Sequence, residues 1–473
     1  MNKDPKQRAF WVGLTGALVL FLFILVSTPS LLAQGSKSQD QRLFTILEQV
    51  YQFIQNNYVD EVDSETLIQG ALEGMFEALG DQHSAYLTDE ELRSLTDTTS
   101  GEFGGVGMYI NKEVRETEEG EPRAEGYIEV VSPIEDTPAY RAGLRAGDLI
   151  VSVEGEPTDD LSVDEVVDRL RGAPGTEVEI TIRRGRTQEF PVSLERAVIQ
   201  IPTVKHAMIR DRIGYLRIIQ FTPHTDERIR EAVESFRDNE YESMIIDLRN
   251  NPGGVLDGVV DVADLFFDGG LVVGTRGRVE SENKEYRAAE GRFVEEDVPI
   301  VVLIDGGSAS AAEILAGAMK DRDRAFLLGE TTYGKGSVQQ VRSVGLGGFR
   351  LTMARYYTPD GTYIDEKGIT PHEEMAEPEL SEEELESYAN LRRENRITEF
   401  VQEQENMEPS DEEIERFIRQ LKEEGIALSE RYLRRMIRTE INRLGNRSEV
   451  YDLEYDVVLQ EAVRLIESGE VPR

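Results

Sequence analysis

The sequence predicts a mixed α/β core with an inserted small β-barrel domain and helical amino- and carboxyl-terminal segments. Three observations carry that prediction. Apolar residues recur at the helical period in Leu43, Ile46, Leu47, Val50, Phe53 and Ile54. Short β-runs broken by glycine fill residues 102–196, and from Ile213 onward apolar strands alternate with amphipathic helices. At 473 residues the chain is too long for one ordinary core, given about 100–200 residues per domain. A hydrophobic share of 39% with 17 Phe and 17 Tyr supplies enough apolar surface for packed domains although 30% of residues are charged.

In chain order, residues 1–9 carry Lys3, Lys6 and Arg8 and read as a cytoplasmic stub. Residues 10–32 are almost wholly apolar through Val26, a signal anchor or signal peptide that leaves everything after about Gln34 outside the cytoplasm. The helical region 38–100 includes a second helix over 64–79, with Ser64 as its cap. In the β-region 101–196, runs at 106–110, 127–131, 149–153 and 177–182 surround one helix. That helix opens with the capping box Ser162/Glu165, presents Val163, Val166, Val167 and Leu170 on one face, and stops at Gly172. The core, 197–375, reads strand 214–219, helix 226–237, strand 244–248, helix 256–266, strand 299–304. The tail 376–473 is rich in Glu, Arg and Leu, with Ile414, Phe417, Ile418 and Leu421 at helical spacing.

Composition removes whole classes of chemistry. A formal net charge of −40 repels nucleic acid and anionic headgroups. With no Cys there is no disulfide, thiolate nucleophile or Cys-ligated metal. Four His, no His-Glu-x-x-His and no Gly-x-Ser-x-Gly elbow speak against a metallopeptidase or an α/β hydrolase, and no phosphate loop is present. No metal and no cofactor are expected.

Three segments could carry chemistry. Asp305-Gly-Gly-Ser-Ala-Ser-Ala-Ala-Glu313 turns from a strand into a helix, which presents the Ser310 hydroxyl where backbone N–H groups and the helix dipole favour an oxyanion. The structural alternative is that Ser310 and Glu313 are simply a capping box. Thr331 to Gln339 holds Lys335 between two glycines ahead of a strand marked by Val338 and Val341. A lysine packed there is desolvated and becomes a general base, with the Gln339 amide to orient it, whereas a lone lysine on a glycine turn is otherwise a solvated charge. Asp247-Leu-Arg-Asn-Asn-Pro-Gly-Gly254 follows a buried strand; Gly253 or Gly254 could donate to an oxyanion beside the N–H of Ala311, or the turn is only a turn.

These segments resemble the carboxyl-terminal processing peptidases, exported serine endopeptidases with an inserted PDZ domain. The likeness runs through Tyr58-Val-Asp-Glu, Gly70-Ala-Leu-Glu-Gly-Met75, His83-Ser-Ala-Tyr-Leu87, Gly101-Glu-Phe-Gly-Gly-Val-Gly107, Ser308-Ala-Ser310-Ala-Ala-Glu-Ile314 and Lys367-Gly-Ile-Thr-Pro371. Two departures are Ala312, where the family has Ser, and His372, where it usually has Asp. The resemblance implies Ser310 as nucleophile, Lys335 as base, Gln339 as its orienting partner, and an oxyanion hole from Ala311 with Gly253 or Gly254. Gly104-Gly-Val-Gly107 and Arg141-Ala-Gly-Leu-Arg-Ala-Gly-Asp-Leu149 resemble PDZ segments, which implies a peptide carboxylate held by Gly105, Val106 and Gly107, with the peptide adding as a strand beside Met108. Expected partners are protein or peptide substrates with accessible carboxyl termini, and the membrane through the amino-terminal segment. The helical flanks leave room for a homodimer or an activator protein. The rival reading is a membrane-anchored PDZ adaptor that binds without cutting.

Overall fold

The computed structural model describes residues 39–471 apart from residues 113, 117–121, 125, 186, 187, 446 and 448. The apolar segment 10–32 lies outside the described residues; among those described, no helix is long and apolar enough to cross a membrane. The chain divides into two compact units, one running to Thr88 and including Arg342–Arg350, the other made of Asp89–Val341 and Leu351–Arg473.

In the first unit a helix over 39–57 precedes a second helix, Ser64–Glu77. The sequence places the cap of that second helix at Ser64; the structure places it one residue earlier. The Asp63 carboxylate accepts the Thr66 N–H at 3.0 Å, and its charge also complements the helix dipole. A strand, Ala85–Leu87, interrupts the region read as helical and pairs antiparallel with Gly348–Arg350. Three residues are too few for a strand period to show against a helical background.

The second unit contains the β-domain, the core and the tail. In the β-domain, strands follow the order Gln188–Glu195, Glu177–Arg184, Leu149–Val153, Ile128–Pro133, Met108–Asn111, all antiparallel. Along the first part of Glu177–Arg184 burial alternates: Val178, Ile180 and Ile182 are buried while Glu177 and Glu179 face water. The helix Val163–Leu170 closes that core with Val166 and Leu170, and its capping box is made in both directions, at 2.7 and 3.2 Å.

In the core sheet the order is Val204–Ile209, Ile213–Ile218, Ser243–Asp247, Ile300–Ile304, Phe326–Gly329, Glu373–Glu374; the first pair is antiparallel and the rest are parallel. Both faces are covered, which is why Ser243–Asp247 and Ile300–Ile304 are buried at every position. Met244 and Ile246 point to the face carrying helices Thr225–Asp238, Leu256–Asp264 and Ala311–Asp321. Ile245, Val301 and Leu303 point to the other, which Val458, Leu459, Ala462 and Val463 of the last helix, Val457–Ser468, cover. The tail therefore divides in its packing. Helices Glu382–Arg393, Arg396–Gln402, Asp411–Glu423 and Glu430–Leu444 share a hydrophobic cluster of their own, and the final helix belongs to the core.

Candidate active site

Parallel strands deliver their following loops to one sheet edge, and two of the three segments singled out above leave the carboxyl ends of neighbouring strands. Asp247 ends one strand and leads into the Asn-Asn-Pro-Gly-Gly turn; Ile304 ends the next and leads through Asp305 to Ser310. Ser310 has φ 55° and ψ −113°, a conformation costing about 1–3 kcal/mol for a non-glycine residue. A backbone strained in this way persists only if its surroundings hold it.

They do so with named bonds. Ser308 Oγ donates to the Leu248 carbonyl at 2.8 Å, and the Ala309 N–H donates to the Asn251 carbonyl at 2.9 Å. Asp305 Oδ1 accepts the N–H groups of Asn250 and Gly307, each at 2.9 Å. A Cβ on Gly253 would stand 2.7 Å from Ser310 Cβ and 2.9 Å from Ala311 N, so only glycine lets this turn approach the Ser310 segment so closely. The two glycines differ. The Gly253 N–H is already committed to Asn251 Oδ1 at 2.8 Å, whereas among the described residues no hydrogen-bond partner meets the N–H of Gly254 or of Ala311.

The Lys335 loop joins through a residue the sequence reading treated only as a capping partner. Glu313 is fully buried inside the helix that follows Ser310. Its Oε2 accepts the Ser310 N–H and the Lys335 N–H, both at 2.8 Å, while Oε1 accepts Thr332 Oγ1–H and the Gly334 N–H, both at 2.6 Å. One carboxylate oxygen thus joins the backbones of the two residues expected to be nucleophile and base. Its only sequence signal was an acid three residues after a serine, which marks a cap. The loop is braced from behind by Lys367-Gly-Ile: the Ile369 N–H donates to Thr332 Oγ1 at 2.7 Å, and the Glu366 N–H donates to the Gly334 carbonyl at 2.9 Å. Gln339 lies on the strand Ser337–Ser343; its Nε2 donates to Ser337 Oγ at 2.8 Å and to Thr352 Oγ1 at 3.4 Å.

Beneath the Gly-Gly turn, Asp247 accepts from Tyr215 OH at 2.6 Å and from Arg249 Nη2 at 2.6 Å. Arg249 also forks onto Asp456, the cap of the last helix, at 2.9 and 2.6 Å. Burial alone pushes the Asp247 carboxyl up, but the Arg249 guanidinium outweighs it and holds the group below the usual carboxylate range. Burial and the same carboxylate push the Tyr215 phenol well up.

In the β-domain Gly104 and Gly105 pair with Val198 and Ala197, Val106 is buried, and Gly107, at φ 79°, lies against Thr137, whose hydroxyl donates to the Gly107 carbonyl at 2.9 Å. Met108 begins the strand that ends its sheet, so one edge of Met108–Asn111 is unpaired within that sheet. His372 sits at the far end of the core sheet, where its Nδ1 accepts the Leu327 N–H at 2.9 Å. Among the described residues no cluster of three or more His, Asp or Glu side chains is arranged to hold a metal ion.

Residues 212–375 match peptidase family S41, residues 129–184 match a PDZ domain, and residues 26–91 match the activating protease CtpB N-terminal domain. A carboxy-terminal-processing protease of Bartonella bacilliformis is 39% identical over 335 residues, covering 70% of this chain and 74% of its own. The carboxy-terminal processing protease CtpA of Bacillus subtilis is 32% identical over 380 residues, covering 80% of this chain and 78% of its own. Among solved structures, the photosystem II D1 C-terminal processing protease is 27% identical with a TM-score of 0.40, covering 69% of this chain and 91% of its own. The chain belongs to the carboxy-terminal processing proteases of peptidase family S41 and is a serine protease carrying a PDZ domain.

Proposed function

We propose that this protease captures protein carboxyl termini with its PDZ domain and cleaves them by a Ser310–Lys335 mechanism outside the cytoplasm. The observation that carries the reading is the shared Glu313 oxygen, which fixes the Ser310 and Lys335 backbones side by side, next to a glycine turn with a spare N–H. Lys335, as the neutral amine, takes the Ser310 proton while Oγ adds to the scissile carbonyl carbon. The oxyanion rests on the N–H groups of Ala311 and Gly254, the glycine whose N–H is not already spent. Gln339, with its Nε2 held by Ser337 and Thr352, has its Oε1 to accept from the Lys335 amine. As the C–N bond breaks, the ammonium returns its proton to the leaving nitrogen. Water then gives a proton to the amine and attacks the ester, and Ser310 recovers its hydrogen as the C–O bond opens.

The PDZ part of the reading rests on the unpaired edge of Met108–Asn111, to which an extended peptide adds as a strand with its carboxylate at residues 105–107. The compartment follows from Lys3, Lys6 and Arg8 ahead of the apolar segment 10–32, which tethers the chain or exports it. The test incubates the full chain, Ser310→Ala and Lys335→Ala with an unfolded protein ending in apolar residues, followed by mass spectrometry. Cleavage by the wild type and a loss of about a thousandfold or more in both variants is expected. Activity should also climb with pH as the amine loses its proton. Wild-type protein that binds the substrate and leaves it whole would replace this reading with the PDZ adaptor.

A further inference from the structure

The cavity of about 470 Å³ between the PDZ domain and the helical tail has no role in the chemistry above. Asn111, Glu129 and Val131 line it from the PDZ side. Asn111 pairs directly with Glu129 across the antiparallel ladder, and Val131 lies two residues on, so all three belong to one sheet face, opposite the core that Val130 helps fill. The other wall is the tail, with Tyr388, Arg392, Tyr432 and Arg435. This wall is fastened in place: Arg443 donates to Glu129 at 3.1 Å and to Glu440 at 2.7 and 2.9 Å, and Glu440 also accepts Thr398 Oγ1–H at 2.6 Å.

The position of this cavity relative to the unpaired strand edge decides what could enter it. A peptide whose carboxylate sits at residues 105–107 must run antiparallel to Met108–Asn111, so its upstream residues leave beside Asn111 after about 13 Å. The residue facing Asn111 is then about the fourth or fifth from the peptide's end, and its side chain takes the Asn111 face, toward the cavity. The opposite face is tied off there: Lys112 Nζ donates to the carbonyls of Asp159 and Leu161 at 2.6 and 2.7 Å, joining the strand end to the loop before the helix. Arg443 lies between two carboxylates, Glu129 and Glu440, and Glu440 also feels the Arg392 charge. Arg392 is exposed, and Arg435 reaches Glu377 and Asp452 only at 3.7 and 4.0 Å, so these two guanidinium groups bring positive charge to the cavity in a chain of net charge −40.

We infer that this cavity is a second specificity pocket, in which Arg392 and Arg435 select an acidic side chain about four or five residues before a substrate's carboxyl terminus. The inference rests on the PDZ reading above and adds the tail as the other half of the recognition surface.

Fluorescence anisotropy with the full-length Ser310→Ala chain, which holds peptides without cutting them, tests it. Peptides ending in the same three apolar residues carry Glu-Glu or Lys-Lys at the fourth and fifth positions from the end, as free acids and as amides. A third peptide moves Glu-Glu ten residues upstream, where only the repulsion of the whole chain acts on it. The Glu-Glu free acid should bind about fivefold tighter than Lys-Lys and than the displaced pair, and Arg392→Glu, at an exposed position, should abolish the preference. Free acids and amides that bind equally, or not at all, would overturn the PDZ reading itself. Free acids that bind better than amides but without a Glu-over-Lys preference, or with one that survives Arg392→Glu, would overturn the pocket alone.

Discussion

Two buried carboxylates flank the Ser310 turn, and they are held by different kinds of donor. Glu313 is met by uncharged groups, the N–H of Ser310, Gly334 and Lys335 and the hydroxyl of Thr332. Asp247 is met by a guanidinium and a phenol, and the guanidinium passes on to Asp456. Uncharged donors at fixed distances add little charge compensation and much geometry, so Glu313 works as a template for two loops. The ion network joins the strand under the Gly-Gly turn to the cap of the last helix, so its work is holding layers together. A carboxylate close to the chemistry and one beneath it are thus distinguishable by what their removal should damage.

The largest effect should come from breaking the network. Asp247→Ala leaves Arg249 buried with half its partners and Tyr215 without an acceptor, which should cost about 3–5 kcal/mol in urea unfolding. The pH dependence has a definite sign. The folded Asp247 carboxyl lies below its unfolded value, so its contribution is complete above about pH 4 and is lost as pH falls through the folded value. Wild-type stability should therefore drop at strongly acid pH in a way that Asp247→Ala, having lost the group, does not reproduce.

Glu313→Gln should do the reverse. An amide turns one acceptor oxygen into an NH₂ that faces N–H or O–H donors in either orientation, so one of the two loops must shift. We expect kcat to fall roughly a hundredfold, about 3 kcal/mol in the barrier, with KM changed little because the PDZ edge is untouched. A variant that lost stability while keeping kcat would show that Glu313 holds the fold and not the site. Asp456→Asn is milder still. Asn caps as well as Asp, so only the charge opposite Arg249 is lost, and about 1 kcal/mol of stability with near-normal kcat is the expected result.

The order of these effects follows what the sequence displayed and what it hid. The Ser310 turn, the Gly253-Gly254 turn and the glycine-flanked Lys335 were visible because each is a local pattern, a strand followed by residues with special backbone needs. The Ser162/Glu165 box was visible for the same reason, and the structure closes it as read. Glu313 looked like a cap because its bond to Ser310 is local, while its bonds to Thr332, Gly334 and Lys335 depend on a loop about twenty residues away. Arg249 and Asp456 are 207 residues apart, and no periodicity links them. The strand Ala85–Leu87 was missed because its partner, Gly348–Arg350, is equally remote.

The smallest effect guards the interpretation of the others. His372 follows Pro371 at the end of the core sheet, and its Nδ1 accepts the Leu327 N–H, which requires that nitrogen to be unprotonated. Burial, with help from the Lys320 charge, holds its pKa below the ordinary value of 6.5. The sign is that of a depressed base: its stabilisation is present above about pH 6.5 and is lost as pH falls through the folded value. The ring is partly open to water, so screening leaves a few tenths of a kcal/mol at most. A fall in activity as pH drops through this window could be loss of the proposed Lys335 base or a local change at the sheet edge. His372→Asn keeps an acceptor for Leu327 and removes the titration. If the melting temperature of the variant becomes flatter across that interval while the acid limb of kcat stays where it was, the limb belongs to the catalytic amine; if the limb moves with the variant, the sheet edge and not the Ser310–Lys335 pair sets the pH profile.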